Sequence, residues 1–447
     1  RHRAGPQRFD ELLDDRDLDE ISLVGYTSGT TGLPKGVMIS HRNMVEITKS
    51  FADAFPMNPG DRIVAWVSMA HPAIRGPQIY TPFRNGALIA FPEAADTFQE
   101  ALHEIAPSYI MCPPRYLEMM SADVRVRVAK SSLVKRSAFR WGLRMGEQAA
   151  MRKLSTRRTD LLGRLQRRIS WLLAGKATLE KLGLDKMKWP MAGGAAISAD
   201  LTRFFHSLGF DLRQVYGQAE TCGVPFAQYD RGSIRFGTAG KILPGMEAKI
   251  APDGELLLKG VGIFQGYLGK PEKTAEVLDQ DGWFHTGDLA EFTEDGELVL
   301  LDRESAIMTL TTGTQLAPTE IENSLKFSPY VSEAVLIANG RPCATALIQI
   351  ELGTVSDWAQ RHNLPYTTFH SLTELEAVRK LIAAEIAQTN QRLKESQQIT
   401  DFRLLPKELD VDDDELTPTR KVKRRVIDQK FGDLIVSMYE DEPVQTT

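Results

Sequence analysis

The stretch Tyr26-Thr27-Ser28-Gly29-Thr30-Thr31-Gly32-Leu33-Pro34-Lys35-Gly36 constrains this chain more than any other. It follows the apolar run Ile21-Ser22-Leu23-Val24 and precedes Val37-Met38-Ile39, so the pattern predicts strand, loop, strand. Glycines let backbone N–H groups approach a phosphate closely, hydroxyls donate hydrogen bonds, and the lysine supplies charge. The candidate phosphate-binding residues are therefore Thr27, Ser28, Gly29, Thr30, Thr31, Gly32 and Lys35. A Walker loop is excluded, because Lys35 follows Pro34 and precedes Gly36 instead of opening a helix next to Ser or Thr.

Around this loop, strand and helix patterns alternate. Ser40 reads as the cap of a helix with Met44, Ile47, Phe51 and Phe55 on one face. Arg62–Val67, Ala87–Phe91 and Ser108–Met111 read as short buried strands separated by helical patterns, which predicts an α/β fold with a mainly parallel sheet. The segments at Gly254–Gly260 and around Glu294-Asp295-Gly296 read instead as antiparallel hairpins. Beyond Asp302, strands at Val331–Ala338 and Ala344–Ile350 surround a long helix near Thr373–Leu393, so a domain boundary is expected near Asp302. At 447 residues, 42% hydrophobic and 25% charged, the chain is neither disordered nor collagen-like, and no run approaches a membrane-spanning length. It opens Arg1-His2-Arg3 without Met or the apolar core of a signal peptide, so a partial or processed cytoplasmic chain is expected. Cys112, Cys222 and Cys343 form neither a disulfide framework nor a CxxC metal pair, and are expected to be buried thiols.

Charge is unevenly placed. Between Arg125 and Lys176 fifteen Lys/Arg face only Glu147 and Asp160, whereas the whole chain is −5. Trp141, Leu143, Met145, Leu161, Leu165, Ile169, Trp171 and Leu172 recur there at helical spacing among the arginines. Two readings stay open: a helical pair packed on its own domain, or an amphipathic surface that meets anionic lipid. No nucleic-acid reader motif accompanies the run, so nucleic acid is not an expected partner.

Six further motifs follow in order. They are Ala192-Gly193-Gly194-Ala195-Ala196-Ile197-Ser198, Tyr216-Gly217-Gln218-Ala219-Glu220, Gly282–Asp288, Asp302-Arg303, Ala317–Glu322 and Leu416–Arg424. With the loop they resemble the adenylate-forming (AMP-binding) superfamily, and the chain is most similar to long-chain fatty acid–CoA ligases. The resemblance implies a large adenylation domain over 1–301, lacking its N-terminal part and carrying a basic helical insertion at 125–185. A small mobile α+β domain over 302–447 follows a hinge at Asp302. It also implies the reaction: activation of a medium-to-long-chain fatty acid by ATP to acyl-AMP, then thioester formation with coenzyme A. The small-molecule partners are fatty acid, ATP, Mg²⁺ and coenzyme A.

The same resemblance assigns roles. Tyr216 would stack on adenine, with Gly194 and Ala195 along its other side, and Gly217 is counted among the ATP-binding residues. Asp288 would accept from the ribose hydroxyls with Arg303 beside it, and Glu220 would hold Mg²⁺. Lys421 is the candidate mobile cation between carboxylate and α-phosphate, with Lys423 as its rival, and Thr27 joins Lys421 and Glu220 in the catalytic set.

Three features depart from the family pattern. Ala219 stands where a Thr is usual, and Ser305-Ala306 and Thr312-Gly313 replace a Lys-Asp pair and a Gly-Gly turn of the loop that lines the pantetheine tunnel. Only 26 residues precede Thr27. The first two motivate two alternatives, an acyl-AMP ligase serving another acceptor such as a carrier protein, and a catalytically weakened protein that binds nucleotide or acyl chain.

Overall fold

A computed structural model describes residues 17–27, 34–69, 71–94, 97–156, 161–230, 234–417 and 422–440. The first strands, β1 (Ile21–Thr27) and β2 (Lys35–Ser40), pair antiparallel with Thr27 opposite Lys35, so the two ends of the phosphate-loop sequence meet. Ser40 closes β2 and caps α1 (His41–Ala54): its hydroxyl accepts from the Asn43 N–H, and the Asn43 side chain reaches back to the Ser40 N–H. Met44, Ile47, Phe51 and Phe55 are all buried, which is the stripe the spacing predicts.

The main sheet runs in the order β4 (Leu88–Ala90), β3 (Arg62–Val64), β5 (Tyr109–Cys112), β6 (Trp189–Ala192), β7 (Arg213–Tyr216), β8 (Phe226–Ala227) and β9 (Lys241–Ile242). The first five of these pair in parallel and the last two antiparallel. The α/β expectation therefore holds, but β3 is shorter than Arg62–Val67. The Ala65 N–H still donates to Ala90 at 2.8 Å, and Trp66 then leaves the ladder to stack on Phe98 and meet Tyr116 edge-on.

Between β5 and β6 lies the basic segment: α2 (Pro114–Ala129), α3 (Leu133–Thr156), α4 (Leu161–Ser170) and a continuation to Leu182. The helices α3 and α4 form a hairpin, joined by a Gln166-to-Gln148 hydrogen bond of 2.8 Å. Gly146 of α3 lies so close to α5 (Ala199–Ser207) that a Cβ there would overlap the Ser207 carbonyl. The hairpin is thus packed on its own domain, yet its outer side remains apolar: Leu161, Leu165 and Leu172 are 83%, 55% and 66% exposed.

The hairpins at Gly254 and Gly296 form as expected, in a four-stranded antiparallel sheet ordered β10 (Met246–Ile250), β11 (Glu255–Gly260), β13 (Phe284–Phe292), β14 (Leu298–Arg303). The two-residue strand β12 (Gly266–Tyr267) instead joins β2, with Tyr267 opposite Val37. Further on, α6 (Pro318–Lys326) precedes a three-stranded sheet of Val331–Ile337, Ala344–Ile350 and Ile399–Leu404. The long helix α7 spans Glu376–Asn390, preceded by a separate short helix that Thr368 caps. Buried clusters from Met308 onward are distinct from those up to Leu298, and Phe327 packs across onto the core of β5 and α2.

Polar contacts join the two parts. Arg115 of α2 reaches Ser332 at 3.0 Å and Glu351 at 3.7 Å, Arg125 covers the Phe327 ring, and Lys130 and Asp200 pair with Asp357 and Arg392. Cys112 and Cys222 are buried as expected, while Cys343 is half-buried beside the Thr400 hydroxyl.

Candidate active site

The site assembles outside the carboxyl ends of β6 and β7, where an open α/β sheet leaves its binding crevice. After β6, Gly193 passes so near β7 that a Cβ would come within 2.6 Å of the Val215 carbonyl oxygen. Gly194 follows in the left-handed region at φ +82°, open on all sides, and Ala195 continues the turn. After β7, a Cβ on Gly217 would overlap the Gly223 carbonyl, so the Tyr216–Glu220 turn closes only with glycine there. One 3₁₀ turn, Ala219–Thr221, then carries Glu220.

Asp288 is the centre of the first constellation. It lies on β13 opposite Arg303 of β14, and Arg303 Nε stands 3.0 Å from Oδ1. The Tyr216 hydroxyl donates to Oδ2 at 2.6 Å, and Gln218 Nε2 donates to the same oxygen at 2.7 Å. Gln218 also bonds the Thr286 carbonyl, tying the turn after β7 to β13. Burial, and then the charge of Asp288, push the Tyr216 phenol well above its ordinary value, so it stays a neutral donor. Sequence reasoning joins Tyr216, Asp288 and Arg303 but omits Gln218; its place inside the Tyr-Gly-Gln-Ala-Glu motif is the available signal. The Tyr216 ring packs in the core between β2, β7 and β13.

The second constellation joins the loop end to Glu220. Lys35 Nζ lies over the Tyr267 ring, 4.7 Å from its centroid, and the Tyr267 hydroxyl donates to Glu220 Oε1 at 2.9 Å. Burial, and then the Glu220 charge, raise the Tyr267 phenol far above its usual range, so this hydroxyl too stays protonated. Tyr267 is the second residue that sequence reasoning misses, since a two-residue strand has no periodicity to read. Glu220 fits Mg²⁺, a hard cation that takes carboxylate and phosphate oxygens and keeps several waters. The Tyr267 bond occupies only Oε1.

Among the other candidates, Thr27 ends β1 opposite Lys35. Ser28, Gly29, Thr30, Thr31, Gly32 and Lys421 lie outside the described residues. Lys423, the rival cation, pairs with Asp414. Asp302 lies on β14, and its carboxylate accepts from the Thr319 hydroxyl at 2.9 Å and the Thr319 N–H at 3.1 Å, tying β14 to α6. Ala219 is buried without a polar atom in its side chain.

Known proteins resemble this chain over most of its length. The AMP-binding enzyme family matches residues 4–268, and the AMP-binding enzyme C-terminal domain matches residues 305–443. A Mycobacterium tuberculosis protein named as a fatty-acid–CoA ligase, fadD11, is 32% identical over 95% of this chain and 74% of its own length. Long-chain-fatty-acid–CoA ligase FadD15 of Mycobacterium bovis is 30% identical over 96% of this chain and 70% of its own. In fold, the chain is similar to the adenylation domain of a Mycobacterium chelonae carboxylate reductase, with TM-score 0.70 and 21% identity over 95% of this chain and 61% of that one. It is likewise similar to the A domain of a Segniliparus rugosus carboxylic acid reductase, solved in complex with AMP and a co-purified carboxylic acid, with TM-score 0.71 and 21% identity over 95% of this chain. The chain spans about three-fifths of those solved chains (61% and 62%). By both the matched family and the fadD11 relative, the chain belongs to the AMP-binding enzymes.

Proposed function

We propose that this protein activates a medium-to-long-chain fatty acid with ATP to acyl-AMP and passes the acyl group to coenzyme A. The observation that carries the reading is the convergence of Tyr216, Gln218, Asp288 and Arg303 in one hydrogen-bonded group, with Lys35 and Glu220 linked through Tyr267 beside the same turn. Two ligases named for fatty acids among the relatives support the substrate class.

In the first half-reaction a fatty-acid carboxylate oxygen attacks the α-phosphorus, the bond to the bridging oxygen breaks, and pyrophosphate leaves. Such transfers depend on positioning and charge stabilisation. Asp288 binds the ribose: its two oxygens offer about four acceptor directions, and Arg303, Tyr216 and Gln218 take three. Lys35 faces the β- and γ-phosphates with Thr27, and Lys421 stabilises charge at the α-phosphate. Glu220 would hold Mg²⁺, which supplies charge neutralisation on the phosphates when bound. In the second half-reaction the coenzyme A thiolate attacks the acyl carbonyl and AMP leaves. Asp302 is the proposed pivot between the two, since it joins β14 to α6.

Fatty-acid-dependent exchange of pyrophosphate into ATP tests the reading, with Lys421→Ala as control. Exchange that requires the acid and disappears in the variant, while ATP still binds, supports it. ATP binding without exchange at any chain length contradicts it and favours a binding protein weakened at Ala219.

A second reading concerns the membrane. The α3–α4 hairpin and its continuation expose Trp141, Leu161, Leu165 and Leu172 as well as Arg140, Arg144, Arg164 and Arg168, a composition suited to anionic lipid.

A further inference from the structure

Tyr267 lies at a junction that the proposed reaction does not by itself explain. It is buried, and every side of it is held. Its N–H donates to the Thr274 hydroxyl at 2.9 Å, its backbone is zipped to Val37 of β2, and Phe264 packs against its ring at 4.9 Å between centroids. The neighbouring Leu268 N–H donates to the Gly36 carbonyl at 2.8 Å, which fixes the residue directly after Lys35. On the other side, the Phe264 N–H donates to the Glu220 carbonyl at 2.9 Å. The segment Phe264–Leu268 therefore grips the backbone of both the loop end and the carboxylate turn.

The side chain divides its work between the two. The ring face receives the Lys35 ammonium and the ring's hydroxyl binds Glu220, so cation and carboxylate meet different parts of one group. Among the described residues Lys35 and Glu220 make no ion pair with each other. A direct pair would neutralise both and turn each away from a triphosphate. Hydrogen bonds to the far side of a metal-binding carboxylate fix its orientation, and losing one typically costs about ten- to a hundredfold in metal affinity. A cation over an aromatic face is held by the ring quadrupole without losing its donors.

We infer that Tyr267 is a positioning residue for nucleotide activation: its hydroxyl aims Glu220 at Mg²⁺, and its ring seats Lys35 for the phosphates. The inference rests on the roles proposed for Glu220 and Lys35. It separates two losses. Tyr267→Phe keeps the ring and removes the hydroxyl, whereas Tyr267→Leu removes both.

Calorimetric titration of the full-length protein with ATP, with no fatty acid, in EDTA and then in excess MgCl₂, reads the two terms. For Tyr267→Phe the expected result is unchanged affinity for metal-free ATP and a gain on adding Mg²⁺ reduced about tenfold or more. Tyr267→Leu is expected to lose several-fold in metal-free affinity as well. Glu220→Gln is the reference that should lose the Mg²⁺ gain. If Tyr267→Phe keeps the full gain while Glu220→Gln loses it, the inference is overturned. Equal losses with and without Mg²⁺ in Tyr267→Phe also overturn it, because they mark a purely structural role. If Glu220→Gln keeps the gain, the reading of Glu220 fails first and the inference falls with it. The Phe variant retains the packing, so it decides the hydroxyl's role even where the Leu variant is unstable; a folded Leu variant with undiminished metal-free affinity would overturn the ring's role.

Discussion

At the scale of single residues, Asp288 is the group on which the nucleotide reading turns. It is buried, and its carboxylate is held by one cation and two neutral donors, an arrangement that keeps a buried charge satisfied. Replacing it by Asn removes the charge that Arg303 faces and leaves one acceptor oxygen where two donors converge. A charge-assisted hydrogen bond contributes roughly 1.5–3 kcal/mol, so Asp288→Asn is expected to weaken AMP binding by about ten- to a hundredfold. Titration of AMP into the variant checks this, and unchanged affinity would detach Asp288 from the nucleotide. Tyr216, Asp288 and Arg303 stand out in the sequence because each belongs to a dense local motif. Their mutual bonding does not, because the turn after β7 and the β13–β14 pair come together only when two sheets pack.

At the scale of elements, local rules carry furthest. Ser40 caps α1 because its hydroxyl reaches the Asn43 N–H three residues on, and the turns at Gly254 and Gly296 are contained in a few residues each. The short strand β12 is opaque to the same rules: its partner β2 is distant in the chain, and two residues are too few to show a period. The basic hairpin shows both behaviours, since its helical period is legible but its seat is not. That seat is built around His206 of α5. His206 is almost fully buried, with Nε2 2.8 Å from the Leu212 carbonyl, Phe236 edge-on, and Asp211, Lys153 and Arg167 around it. Burial holds its pKa below the ordinary 6.5; Asp211 opposes that shift and Lys153 and Arg167 reinforce it. The folded state thus favours neutral His206, so its contribution to stability is present above pH 6.5 and is lost as pH falls through the lowered folded value. Thermal unfolding should therefore shift to lower temperature on acidification below that pH, and His206→Gln should remove this part of the slope. An identical slope in the variant would place the acid sensitivity elsewhere.

At the scale of the whole molecule, two bodies of buried side chains meet along α2, and the meeting is largely polar. Arg115, Lys130 and Asp200 on one side reach Ser332, Glu351, Asp357 and Arg392 on the other. The pair with the most exposure on both sides, Lys130 with Asp357, contributes little, about 0–1 kcal/mol, which suits the pivot proposed at Asp302. The helix α2 leads directly into the hairpin whose outer side is apolar and basic. If that side meets lipid, the protein should sediment with vesicles containing anionic phospholipid at low salt and be released at high salt, because screening shortens the reach of the arginines. No sedimentation, or sedimentation indifferent to salt, would contradict the membrane reading.

The central claim is a bond between a fatty-acid oxygen and the α-phosphorus of ATP, and isotope transfer reports it directly. The protein is incubated with ATP, Mg²⁺, coenzyme A and a long-chain fatty acid carrying ¹⁸O in its carboxylate, and the nucleotide product is weighed by mass spectrometry. The account predicts AMP that carries one ¹⁸O, left behind when the thiol takes the acyl group, in amounts equal to the acyl-CoA formed. ADP in place of AMP, or AMP without the label, would contradict it.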